Sequence, residues 1–387
     1  MRALLTDGRL RTCLYVARSL GKKSIGAFVG ESAWFHPHYY NQRRIMAFMS
    51  SFCKGYFFYP HPADSDSFVP FMAKLAKKYD ALIPINEDTI IPICRHFSKF
   101  SNVLLPHIED LEVALDKNRV AEQCAKLGIP TPRTFFPSGQ SELKTLSKEL
   151  DYPIIVKWRH EGLGFPRYKI CYSQESLLHN YEIMRRVENP IVQEWVKGFG
   201  TGLFALFDRN HRLKAYFMHK RIREYPISGG PSTFCESFWN KQVVEYGLKL
   251  LKSLNWVGVG MVEFRFDVEH YVPKVLEVNP RFWGSLPLAI FSGVDFPYLL
   301  CKLIVGEDFA PVLNYKLNVK CRFANDFDAI WKIFKRDRNI LETAKAVSSS
   351  VLAKPADFDR KDSYTLIAMK APTLKKMAKV TKKIMRI

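Results

Sequence analysis

Apolar residues near the start of the chain fall in short runs. "RALLT" (2–6), "SIGAFVG" (24–30), "YFFYP" (56–60), "ALIPI" (81–85) and "NVLLP" (102–106) each read as strands. Between them "LRTCLYVARSLG", "DSFVPFMAKLAKKYD" and "EDTIIPICRHFSKF" carry helical apolar spacing, the first closed by Gly21. Alternating β and α units predict an open, mostly parallel sheet whose ligands sit at the C-terminal strand ends. Those ends read Thr6-Asp7-Gly8, Gly30-Glu31-Ser32 and Asn86-Glu87-Asp88. No Gly-x-Gly-x-x-Gly follows the first strand, so the pattern does not indicate a dinucleotide.

The pattern then changes. A helix from about Lys117 to Leu127 stops at Gly128, and "IPTPRT" makes a stiff extended linker. Helices are expected over 141–150, 175–187 and 240–255. Strands are expected at "YPIIVKW" (152–158), "RYKICYS" (167–173) and "NPIVQEWVKG" (189–198). Residues 202–222 form a hairpin turning at Asp208 to His211, and "GMVEFRFDVEHYVPKVLEVNP" (260–280) forms a second. Antiparallel strands backed by helices give this half an α+β texture. The apolar stretch 286–306 is interrupted by Asp295, Pro297 and Lys302. It reads as two short packed helices around a Gly-Val-Asp turn, not as a membrane span.

The second hairpin carries the chemistry. Strand alternation puts Glu263, Arg265 and Asp267 on one face, and Glu277 and Asn279 on one face of the return strand, with Leu276 and Val278 in the core. A turn near Glu269-His270 brings Glu263 opposite Glu277. Facing carboxylates repel unless a cation lies between them. Two Glu and one Asn make an oxygen set suited to Mg²⁺, an ion commonly shared with nucleotide phosphates. Arg281, one step on, could reach a phosphate or a developing oxyanion. Glu263 alone would fit a solvated sheet face; the set with Arg281 and "FWGS" points to metal and phosphate. Lys157 sits in the apolar strand "PIIVKW", where an unpaired ammonium is costly, so it should face an anion. Lys117 opens a helix, "EGLGFP" (161–166) offers backbone N–H groups, and "QEWV" (193–196) offers a backbone edge for a flat base.

Composition and charge refine this. The 387 residues suit two or three domains, and 47% hydrophobic content supplies their cores. Eight scattered cysteines show no Cys-x-x-Cys pair, and the N-terminus lacks an apolar leader. Both suit a reduced, cytoplasmic chain. Residues 313–387 hold 18 basic and 7 acidic residues, so +11 of the net +20 lies there. Written as a helix, "APTLKKMAKVTKKIMRI" (371–387) is basic and amphipathic. It could lie peripherally on the anionic inner face of a membrane, or be a solvated tail. No nucleic-acid motif accompanies the charge, so a nucleic-acid partner is not expected.

In order, "IIVKW", "IVQEWVKG" and "MVEFRFD…VLEVNPRFWGS" resemble the ATP-grasp superfamily, in its carbamoyl-phosphate-synthetase-like, carboxylate–amine ligase branch. The resemblance covers about residues 1–310. It implies an N-terminal α/β pre-ATP-grasp domain (1–114), then a two-lobed ATP-grasp domain (115–312, lobes about 115–190 and 191–312). A basic C-terminal extension (313–387) follows. It implies Glu263, Glu277 and Asn279 as ligands for Mg²⁺, with Mn²⁺ as the other ion such a set accepts. It implies Lys117 and Lys157 on ATP phosphates, Gln193, Glu194, Trp195 and Val196 at adenine, and Arg281 on the acyl phosphate. Residues 219–237 resemble a loop near the substrate, where Arg221 and Arg223 either bind a carboxylate or form a surface sheet edge. The implied reaction joins a carboxylate to an amine (less often a thiol) at the expense of ATP. The other reading is a non-catalytic or regulatory ATP-binding protein held at an anionic surface by its tail. Relatives often form homodimers. "KGFGTG" lacks the acidic residue many relatives place near the ribose, and "RHEGLGFPRYK" is richer in Arg and His than the usual loop. His160 and His219 could assist proton transfer, although an isolated histidine is more often structural.

Overall fold

A computed structural model describes residues 1–35, 45–159, 168–227 and 230–362. The glycine loop 161–166, His160 and the tail 371–387 lie outside the described residues.

The first sheet is parallel, in the order β3-β2-β1-β4: β1 (Arg2–Leu5), β2 (Gly26–Ser32), β3 (Cys53–Tyr59) and β4 (Ala81–Ile83). Helix α1 (Arg11–Lys22) joins β1 to β2, α2 (Ser65–Ala76) joins β3 to β4, and α3 (Glu87–Arg95) follows β4. Gly21 does not end α1, as the sequence suggested; the helix continues to Lys22, and a Cβ at Gly21 would lie 2.3 Å from the Phe52 ring. Close packing, not a turn, requires that glycine. "NVLLP" does not become a strand. It runs extended beside β4, where Leu82 N–H donates to the Asn102 carbonyl at 2.8 Å.

α4 (Ile108–Leu115) and α5 (Lys117–Lys126) lead into a small lobe. Its antiparallel sheet has the order β5-β8-β6-β7: β5 (Thr134–Phe135), β6 (Ile154–Lys157), β7 (Tyr168–Cys171) and β8 (Ile191–Glu194). α6 (Gln140–Leu146) and α7 (Gln174–Arg185) cover one face. They bury a separate core that includes Leu143, Val156, Leu177 and Tyr181. The Ser173–Ser176 capping box satisfies the first N–H groups of α7.

The largest sheet has seven strands in the order β13-β12-β9-β10-β11-β14-β15. They are β9 (Gly198–Phe207), β10 (Leu213–Glu224), β11 (Ser232–Ser237), β12 (Gly258–Asp267), β13 (Val272–Asn279), β14 (Lys320–Arg322) and β15 (Lys354–Pro355). α8 (Lys241–Ser253) packs on one face, with α5 in the same core. α9 (Leu286–Ser292) and α10 (Phe296–Ile304) pack on the other, in a core shared with α1 and the parallel sheet. These two helices are the expected pair around the Gly-Val-Asp turn, bent by 90°. Among the described residues no single helix is long and apolar enough to cross a membrane.

Residues 320–355, read from sequence as part of an extension, add two strands to this sheet. β14 pairs with β11 and with β15, and α11 (Asp326–Asp337) and α12 (Ile340–Leu352) lie between them in sequence. Residues 219–237, read as a substrate loop, are mostly the β10–β11 hairpin.

Candidate active site

The small lobe and the large sheet enclose a cleft of about 1270 Å³. Its floor is the β12–β13 hairpin, where Glu263 lies directly opposite Glu277. The pairing depends on a bulge. Asp267 pairs with Val272 and Phe264 with Val275, so a regular ladder would set Glu263 against Leu276. Leu276 is the extra residue that restores the carboxylate pair. It consequently faces the cleft instead of the core position expected for it.

The carboxylates are flanked by cations. Arg221 on β10 lies 2.8 Å from Glu263 and also meets Glu224. Lys117, the first residue of α5, is buried with its ammonium 3.5 Å from Glu277. Asn279 donates from Nδ2 to Glu277 at 3.0 Å and accepts at Oδ1 from Arg281 at 3.1 Å. Burial pushes the Glu263 carboxyl up and the Glu277 charge adds to this, while Arg221 opposes both. Burial alone would lower the Arg221 pKa, but Glu263 and Glu224 together hold it above its ordinary value.

Two further groups anchor this floor. Arg281 Nε donates to Glu87 at 2.8 Å, at the start of α3 in the parallel-sheet domain. Sequence reasoning marked Asn86-Glu87-Asp88 as a strand end but gave Glu87 no role at the hairpin; the strand-end position was the available signal. Asp116 caps α5 through Asn118 N–H and takes a bidentate pair from Arg159 at 3.0 and 2.7 Å. Arg159 follows β6, so this pair ties the small lobe to the helix that begins with Lys117. Neither partner had been singled out.

At the other wall, Lys157 ends β6 and lines the cleft while Ile154 and Val156 fill the lobe's core. Gln193, Glu194, Trp195 and Val196 line the same wall. Gln193 Nε2 donates to Thr134 at 2.8 Å, and Glu194 is held by Lys274 and by Arg133 at 3.1 Å. Arg265 donates to the Val196 carbonyl at 3.1 Å and lies 5.6 Å from the Trp195 ring centre. The hinge is thereby fixed by β12 and β13.

Arg223 is not in the cleft. Register shifts in β10 on both sides of it separate it from Arg221, and it grips Asp326 bidentately at 2.8 and 2.6 Å. The guanidinium also lies 4.1 Å from the Phe234 ring centre. With both carboxylate oxygens of Asp326 bound, it holds α11 to the sheet. His219, by contrast, is buried in the cleft wall.

The architecture has known counterparts. Residues 216–325 match a family model described as ATP-grasp in the biosynthetic pathway with Ter operon. The biotin carboxylase domain of Hydrogenobacter thermophilus 2-oxoglutarate carboxylase, solved with MgADP, ADP and bicarbonate, superposes with TM-score 0.64 at 17% identity. The match covers 82% of this chain and 73% of that one. N5-carboxyaminoimidazole synthetase from Staphylococcus aureus gives TM-score 0.65 at 14% identity over 87% and 86%. L-amino acid ligase from Bacillus licheniformis gives 0.59 at 13% over 78% and 74%. The chain thus shares the fold of these enzymes over most of its length, and its residues 216–325 match an ATP-grasp model.

Proposed function

We propose that the chain is an ATP-dependent ligase that joins a carboxylate to an amine through an acyl phosphate. The observation that carries this is Glu263 set against Glu277 beside Asn279, with Lys117, Lys157, Arg221 and Arg281 around one cleft. Two carboxylates and an amide fit a hard divalent cation that takes its remaining ligands from phosphates and water. Mg²⁺ (or Mn²⁺) would be held there by Glu263, Glu277 and Asn279, and when bound it supplies charge neutralisation for phosphate oxygens. Gln193 to Val196 would face adenine, and Lys117 and Lys157 would hold phosphates. The solved structures of similar fold include complexes with MgADP and with β,γ-ATP, which supports nucleotide in this cleft.

In the first step a substrate carboxylate oxygen attacks the γ-phosphorus. The bond to the bridging oxygen breaks and ADP leaves. In the second, an amine attacks the acyl carbon, the carbon–oxygen bond to phosphate breaks, and the nitrogen gives up a proton. Phosphoryl transfer needs positioning and charge neutralisation more than covalent help from the protein. Arg281, held by Glu87 and Asn279, would stabilise the acyl phosphate.

The test is ADP release screened over pools of carboxylates and amines, with Glu277→Gln as control. A productive pair should release ADP about a hundredfold or more faster in the wild type. If no pair exceeds the control, the ligase reading is overturned.

A further inference from the structure

Ten buried side-chain polar atoms lack a hydrogen-bond partner among the described residues. Six of them belong to five residues that line the cleft: both ring nitrogens of His219, Trp283 Nε1, Arg221 Nε, Ser232 Oγ and Asn325 Oδ1. Elsewhere such atoms are scattered. Leaving a buried donor or acceptor unmatched is costly, so a concentration in one wall marks a surface that awaits a ligand's polar atoms.

These residues form one neighbourhood. The His219 and Trp283 rings both pack on Phe204, with centres 4.9 and 4.1 Å from it. Arg221 is two residues along β10 from His219. Ser232 lies across from Glu224 on β11, and its neighbour Thr233 shares Asp326 with Arg223, directly beside Asn325. Tyr15 and Phe323, also in the cleft lining, close this end; Tyr15 is tied to the same corner through Asp357, which takes both its hydroxyl and the Ala324 N–H. The hinge residues 193–196 belong to the other wall, across the Glu263–Glu277 floor. A cleft of about 1270 Å³ exceeds what one small ligand usually fills, roughly 300–1,000 Å³.

The atoms have fixed sense. Trp283 Nε1 and Arg221 Nε can only donate, and Asn325 Oδ1 can only accept. His219 is neutral, its pKa pushed down to about 3 by burial and then by Arg221, so it presents one donor and one acceptor. Ser232 serves either way. An ammonium here would meet an indole N–H and a guanidinium, and the nearby Glu224 is already held by Arg221. A second carboxylate would meet the Asn325 carbonyl. An uncharged group that both donates and accepts satisfies the set.

We propose that this wall is the subsite for the body of the carboxylate substrate, and that it selects acids bearing a hydroxyl or carboxamide group over apolar, cationic or dianionic analogues. This rests on the ligase reading for its location beside the paired carboxylates. The selectivity itself follows from the unmatched atoms.

Binding of five matched acids to the full chain, with and without MgADP, tests it by ligand-observed NMR. The acids are succinamate, 4-hydroxybutyrate, butyrate, 4-aminobutyrate and succinate. Succinamate and 4-hydroxybutyrate should bind about tenfold more tightly than the other three. Trp283→Phe keeps the ring and removes the N–H, and Asn325→Leu and Ser232→Ala each remove one polar atom. Each variant should shrink the preference while its thermal melt and ADP affinity stay at wild-type values. Equal affinities, a preference for 4-aminobutyrate or succinate, no binding of either neutral polar acid at millimolar concentration, or an unchanged preference in all three variants overturns the proposal. Failure of the wild type to bind MgADP would instead overturn the nucleotide reading, with the nucleotide-free titrations still deciding this one.

Discussion

His219 is enclosed in the cleft wall, and the same burial that suits it to a neutral ligand makes it a source of pH dependence. Its pKa falls from an unfolded value near 6.5 to about 3, through burial first and the Arg221 charge second. A depressed folded pKa means that the stability is complete above about 6.5 and is lost as pH falls toward 3. By pH 5 this one group should remove about 2 kcal/mol. Thermal or urea melts at pH 7.5 and pH 5.0 check it, with His219→Gln expected to lose less stability over that interval than the wild type; an identical loss in the variant would refute the assignment. Arg221 and Arg223 show where residue-level reading stops. Two residues apart on a strand, they should share a face, and a sequence cannot tell them apart. The irregular register of β10 separates them, leaving Arg221 on Glu263 and Arg223 on Asp326. Asp326→Ala would strand a largely buried guanidinium and should cost about 3–5 kcal/mol in a urea melt.

At the scale of elements, apolar alternation identified both hairpins and the partners Glu263 and Glu277, because period-two patterning and a turn locate a ladder to within a residue. The remaining residue was supplied by the bulge at Leu276, which nothing in the local pattern announces. "NVLLP" failed as a strand for a related reason: apolar runs mark burial, and this one is buried beside β4 without extending the ladder along its length. The hinge after β8 has its own constraint at Gly198, which pairs with Asp267 as β9 begins. Its φ is +154°, and a Cβ there would lie 1.8 Å from the Phe266 carbonyl oxygen. Backbone must move to relieve that contact. Gly198→Ala should therefore cost at least about 3 kcal/mol and displace residues 194–197, weakening ADP binding together with stability. Calorimetric ADP titration beside a urea melt measures both; an unchanged ADP affinity would show that the hinge is held by Arg265 and Lys274 alone.

Across the whole molecule, the segment 353–362 joins what the sequence presented as a first domain and a last appendage. The boundary at 313 rested on a shift in charge, and charge reports surface composition, not chain path. Asp362 is fully buried: it pairs with Arg18 of α1 at 2.7 Å and accepts from Ser50 Oγ and Ser51 N–H at 2.8 Å each. Asp359 meets Lys22 at the surface end of the same helix. The two pairs are close in sequence but differ in surroundings, so their energies should differ. Arg18 is enclosed, and removing its partner leaves a buried charge and two unmatched donors on the loop after it. Asp362→Ala should cost about 3–5 kcal/mol. Lys22 is half exposed, water and salt screen its pair, and Lys22→Ala should cost less than about 1 kcal/mol. If the last segment only adheres to a domain that is complete without it, the two variants will give the same urea midpoint. If it is part of one folded unit, Asp362→Ala will lower the midpoint for the whole chain. The loss will also reach the cleft, because the neighbouring Asp357 holds Tyr15 in its wall.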